Sequence, residues 1–72
     1  MEGQLIRITP SRGFVALLFK LGEKTYGLTY TGEQYRNYPV WSQFKIGDLV
    51  DGLKWKDEKR RIIDADSPVH LA

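Results

Sequence analysis

Glycines at positions 13 and 22 confine the longest apolar stretch, FVALLFKL, to eight residues. Its uninterrupted apolar part, Phe14 to Phe19, falls far short of the ~20 residues needed to span a bilayer. A run this short, closed at both ends by turn residues, predicts a buried strand rather than a helix. If Val15, Leu17 and Phe19 face a core, strict alternation sends Phe14 outward. That core has to suffice by itself. A chain of 72 residues buries only roughly 60 % of the surface its unfolded form exposes. With no Cys and one His, neither a disulfide nor a thiolate metal site can compensate.

The neighbouring segments repeat the pattern. Gln4 to Thr9, QLIRIT, alternates with Ile6 and Ile8 on one face and Leu5, Arg7 and Thr9 on the other, as a half-buried strand does. Pro10-Ser11-Arg12-Gly13 is a turn signal. Gly22-Glu23-Lys24 makes a short hairpin loop into Thr25 to Thr31, with Tyr26, Leu28 and Tyr30 on one face. From Gly32 to Ile46 the periodicity disappears, which predicts a loop with at most one helical turn, held to the body by its aromatics. Gly47-Asp48 turns the chain into a strand from Leu49 to Lys56. Asp57-Glu58-Lys59 turns it again into a last strand from Arg60 to Asp64. The tail 65–72 carries too little pattern to assign and is expected to be irregular. A single domain spanning 1–72 is therefore expected to be all-β, a small five-stranded antiparallel barrel. Closure removes the bare edges and the exposed apolar face that a flat sheet would leave.

The order of these elements resembles the OB-fold, and within it the RNA-binding domain named after ribosomal protein S-one. The pieces that carry the likeness are Gly3-Gln4-Leu5, Gly13-Phe14-Val15, Gly27-Leu28-Thr29-Tyr30, Phe44 to Val50 (FKIGDLV) and Asp57 to Ile62 (DEKRRI), covering residues 3 to 63. FKIGDLV also occurs in Src-homology-three-like barrels, which are the alternative fold. Tyr30 stands where the family has histidine, the turn before Gly13 lacks the usual aromatic, and the last strand reads IIDADSP. The resemblance implies that Phe14 and Tyr30 stack bases and that Arg60 or Arg61 grips phosphate.

Charge points the same way. Residues 54–61, KWKDEKRR, hold five basic and two acidic side chains, so they carry more than the whole net charge of +2. A local basic excess suits a polyanion, although a solubilising charged turn has the same composition. The candidate nucleic-acid-binding residues are thus Arg12, Phe14, Tyr30, Lys54, Lys56, Arg60 and Arg61, with single-stranded nucleic acid, RNA in preference, as the partner. Two alternatives compete at particular positions: Phe14 could pack against Trp41 or Tyr35, and Trp55 could fill the barrel or stack beside the basic rim. Tyr35, Tyr38 and Trp41 are expected to be packing anchors. If they are not, the loop 35–44 offers a protein-docking surface instead, since Tyr and Trp dominate binding hot spots.

An enzyme is not expected. His70 sits in the tail without an evident partner, and Asp48, Asp51, Asp64 and Asp66 belong to turns and strand exits rather than to a paired-carboxylate or magnesium site. No phosphate-binding glycine loop is present, because Gly27 and Gly32 lack the accompanying lysine and helix. Neither metal nor cofactor is expected. The polar, acidic opening MEGQLIRI is unlike a signal peptide, and the apolar runs are short, so a soluble cytoplasmic protein without a membrane span is expected.

Overall fold

Strands β1 (Gly3–Ser11), β2 (Phe14–Leu21) and β3 (Lys24–Thr31) form two consecutive hairpins. The second turns on Gly22 at φ +64°, the backbone that a two-residue loop with glycine first requires. A computed structural model describes the backbone of residues 1–72 and the side chains of all except Pro39, Asp66, Ser67 and Pro68. After β3 come a one-turn helix α1 (Gly32–Arg36) and a 3-10 turn (Pro39–Gln43), then β4 (Leu49–Asp57) and β5 (Ile62–Leu71).

Alternation in β2 and β3 follows the sequence. Val15 pairs with Tyr30, Leu17 with Leu28 and Phe19 with Tyr26, and all six turn toward the interior. The intervening pairs, Phe14 with Thr31, Ala16 with Thr29 and Leu18 with Gly27, form the outer face.

In β1 alternation fails. Leu5, not Ile6, is fully buried, and Ile8 packs against the core. The pairing with β2 shifts between Leu5 and Arg7. Such a bulge adds one residue to one strand and flips the phase of everything after it, so Leu5 and Ile8 both face inward although they are three positions apart.

The five strands close into a ring in the order β1, β2, β3, β5, β4. The expected all-antiparallel arrangement does not hold, for a reason of parity. Directions cannot alternate all the way round an odd number of strands, so one seam has to be parallel. Here it is β3 against β5, with Gly27 beside Ile62 as its single register pair. A parallel neighbour requires a long crossover, which α1, the 3-10 turn and β4 provide.

Two further expectations are corrected. The tail is not irregular: β5 runs to Leu71, pairs Leu71 with Val50 and His70 with Asp51, and sends Val69 into the core. The last strand begins at Ile62 rather than Arg60, which leaves both arginines in the turn.

The segment 32–48 is pinned at both ends. Thr31 caps α1 reciprocally: its Oγ1 accepts the Gln34 backbone N–H at 3.1 Å and its own N–H donates to Gln34 Oε1 at 2.9 Å. Gly47, at φ +100°, donates its N–H to Leu5 O at 2.7 Å, and Leu5 returns a bond to Asp48 O at 2.9 Å. The phrase FKIGD therefore docks on β1 as it enters β4. Between these ends Trp41 and Phe44 are buried, with Trp41 in ring contact with Phe19, Tyr30 and Phe44. No helix among the described residues is long and apolar enough to cross a membrane.

Candidate nucleic-acid interface

The outer face of β2 and β3 begins at Phe14, which is 51 % exposed. It continues over the small side chains Ala16, Thr29 and Gly27 to Leu18. Leu18 is four positions on from Phe14, about 13 Å along a strand. At Leu18 and Gly27 the surface drops into a groove of about 560 Å³ that runs along the parallel seam. β3 from Thr25 to Thr29 forms one side of it, and Lys56, Arg60, Arg61 and the start of β5 form the other.

The basic wall is built by local backbone geometry. In the β4–β5 ladder Trp55 pairs with Ile63 and Asp57 with Ile62, so Lys56 is the extra residue of a bulge, a device that re-aims side chains. Asp57 Oδ1 accepts the Arg60 N–H at 3.3 Å and fixes the turn. Arg61 has φ 57°, a left-handed conformation that costs a non-glycine residue roughly 1–2 kcal/mol. It is held there by its N–H to Glu58 O at 3.1 Å and by the Gly27 N–H donating to Arg61 O at 2.9 Å. The strained residue is thus the one that ties the turn to β3.

Among the described residues, Arg12, Lys54, Lys56 and Arg61 make no ion pair, whereas Arg60 Nε lies 3.6 Å from Asp57 Oδ2 in an exposed pair of the kind that contributes little. Among the described residues, Asp64 is the one carboxylate residue in the groove lining. The walls keep a positive excess.

The sequence-derived residues therefore divide. Lys56, Arg60 and Arg61 come together in the groove. Phe14, with Arg12 in the adjoining turn, occupies the far end of the same face. Lys54 is exposed on β4 but does not line the groove. Tyr30 is a correction: it is 8 % exposed, faces inward beside Leu28, and packs against Tyr38 and Trp41 with ring centroids 5.4 and 6.1 Å away. It offers no free face to a base. Of the two readings of Trp55, filling the barrel does not hold: it stands 45 % exposed, in an edge-to-face contact with Tyr26 at 4.8 Å between centroids. Leu53 is the inward residue in this part of β4. The signal for Tyr30 was in the sequence, since it shares a face with Leu28. For Trp55 alternation gave none, since it is in phase with buried Leu53 and is exposed only near the end of β4.

Burial raises the Tyr30 hydroxyl above its ordinary value of 10.0, partly offset by a hydrogen bond donated from the Trp41 indole. A raised folded-state value means that the neutral phenol favours the fold fully below the unfolded value. This contribution is lost as pH rises from there through the folded value. Denaturation midpoints measured from about pH 8 to about pH 11 should fall in the alkaline limb, and Tyr30→Phe should make that fall shallower. An identical slope in the variant would show that other groups set it.

The carboxylates flagged in the sequence do not converge. Asp48 Oδ2 accepts the Lys45 N–H at 2.8 Å, and Asp64 Oδ1 accepts the Ala65 N–H at 2.8 Å. Asp51, at the start of β4, accepts the Gly52 N–H at 2.8 Å and lies 3.8 Å from His70 Nε2. That Gly52 hydrogen bond is the largest cause holding the Asp51 carboxyl below its ordinary value. The side chain of Asp66 lies outside the described residues. Among the described residues, no three His, Asp or Glu side chains gather as metal ligands.

In comparisons with known proteins, no family model matches the chain, and no curated protein or solved structure matches it either.

Proposed function

We propose that this chain is a single-stranded nucleic-acid-binding module, RNA in preference, built on a small barrel of the OB type and acting in the cytoplasm. The observation that carries the proposal is the groove along the β3–β5 seam. Its wall is formed by Lys56, Arg60 and Arg61, and an outward Phe14 shares its sheet face. The strand order and the position of the groove support it, because OB-folds bind oligonucleotides on the face of strands 2 and 3 and on the loops joining strands 1–2 and 4–5. Aromatic rings stack on any base and cations follow the phosphates, so binding of this kind is weak in sequence preference and sensitive to salt. The protein-docking alternative has less to draw on, since Trp41 and Phe44 are committed to the core and Tyr38 is the aromatic of that loop left largely exposed.

The test is titration of the labelled protein with short mixed-sequence RNA at low salt, followed by backbone amide shifts. Shifts should centre on Phe14 to Leu18, Thr25 to Thr29 and Lys56 to Asp64. With three or four phosphates contacted, the logarithm of affinity should fall against that of salt with a slope of about 2 to 3. No shifted resonance at low salt would remove the proposal, and shifts confined to residues 35–44 would replace it with the docking surface.

A further inference from the structure

Resting on that reading, we infer that Trp55 is a second base-stacking residue, so that the bound strand runs from Phe14 through the groove and over the β4–β5 edge to Trp55. Three observations carry this. Trp55 meets Tyr26 edge to face, at 66° between ring planes and 4.8 Å between centroids, and still exposes 45 % of its surface. Tyr26 in turn lines the groove, so Trp55 borders the groove through it. The bulge at Lys56 breaks the alternation that would otherwise put consecutive side chains on opposite faces. Lys56 lines the groove while its neighbour Trp55 flanks it.

The surroundings of the ring select the ligand. Lys56, the bulge residue that follows Trp55, lines the groove and makes no ion pair among the described residues, whereas Lys54 alternates to the opposite face. An exposed indole next in the chain to a groove-lining cation fits a base and its phosphate, since stacking and charge act on adjacent parts of one nucleotide. An uncharged apolar partner would leave Lys56 unmatched. Trp55 touches Tyr26 from outside the fully buried core, so removing it leaves the central packing of Leu17, Phe19 and Trp41 in place.

The experiment uses the intact chain and an oligouridylate of about ten nucleotides. Of the two tryptophans, Trp41 is buried and Trp55 is not. Addition of RNA should therefore quench indole fluorescence through Trp55 and move its indole N–H resonance in the wild-type protein. Trp55→Leu keeps apolar contact with Tyr26 but lacks a π-face. It should bind on the order of 5- to 100-fold more weakly with the salt slope unchanged, because stacking releases no counterions. A role confined to holding the fold would instead lower the melting temperature without this selective loss. RNA binding by the wild type with a motionless Trp55 resonance and equal affinity in the variant overturns the inference and leaves the proposed function standing. Absence of any RNA binding to the wild type overturns both.

Discussion

Replacing Trp41 with alanine is expected to remove about 3 to 5 kcal/mol of folding stability, enough to unfold a large fraction of the protein at ordinary temperature. A chain of 72 residues has a total of only about 4 to 11 kcal/mol at the usual stability per residue. Trp41 is 1 % exposed although it sits in a 3-10 turn outside the strand ring, and it is the meeting point of Phe19, Tyr30 and Phe44. Removing a fully buried indole leaves a cavity whose cost adds to the lost transfer energy. Tyr38 provides the contrast. It is 51 % exposed and its ring meets the cluster at Tyr30, so Tyr38→Ala should cost about 1 kcal/mol or less. Chemical denaturation followed by circular dichroism measures both. A Trp41→Ala protein as stable as wild type would show that the connection 32–48 packs on the ring without contributing to its core.

Reversing the charge of the groove wall, Lys56→Glu with Arg61→Glu, is expected to weaken RNA binding on the order of 30-fold, about 2 kcal/mol. The salt slope should fall by about 1.4 as two phosphate contacts are lost. Neither side chain makes an ion pair among the described residues, and both are exposed, so the fold should survive. The matched control is Arg36→Glu with Lys45→Glu, the same charge change at exposed residues that do not line the groove. If total charge alone governed binding, the two double variants would weaken equally. A loss confined to the groove pair assigns the phosphates to the seam, while equal losses would reduce the interaction to a non-specific field.

Much of the ring was legible in the chain because β2 and β3 obey a period of two between glycine-bearing turns. Phe14 outward and Leu17 and Phe19 inward follow from spacing alone. Of the loop aromatics expected to anchor, Trp41 is buried and Tyr35 packs on the core, while Tyr38 is half exposed and Phe44 is buried beside them. The misassignments have different origins. A bulge at Ile6 changes the phase of β1 without changing its composition, so Leu5 lies inward where alternation with Ile8 would not put it. Trp55 keeps the phase of Leu53 and pairs with buried Ile63, but it stands just before the bulge and turn that end β4, where the ring leaves it half exposed. The C-terminal half of β5 escaped notice because a strand that completes a ring is selected by its neighbours more than by its own pattern. At Tyr30 two lines of inference conflicted. Alternation with Leu28 placed it inside, the family likeness placed it outside, and packing agreed with alternation. Of the candidate site, the cations were legible as a charged run. Their assembly opposite Gly27 depended on which strand lies beside β3, and that is a property of the whole ring.

The parallel seam has a bearing on how such a module could be altered. A sixth strand would let directions alternate completely round the sheet, and the wall would then close with a full ladder in place of its single pairing at Gly27. The doorway is thus tied to the count of strands. An insertion far from any contacting residue could shut it by arithmetic alone.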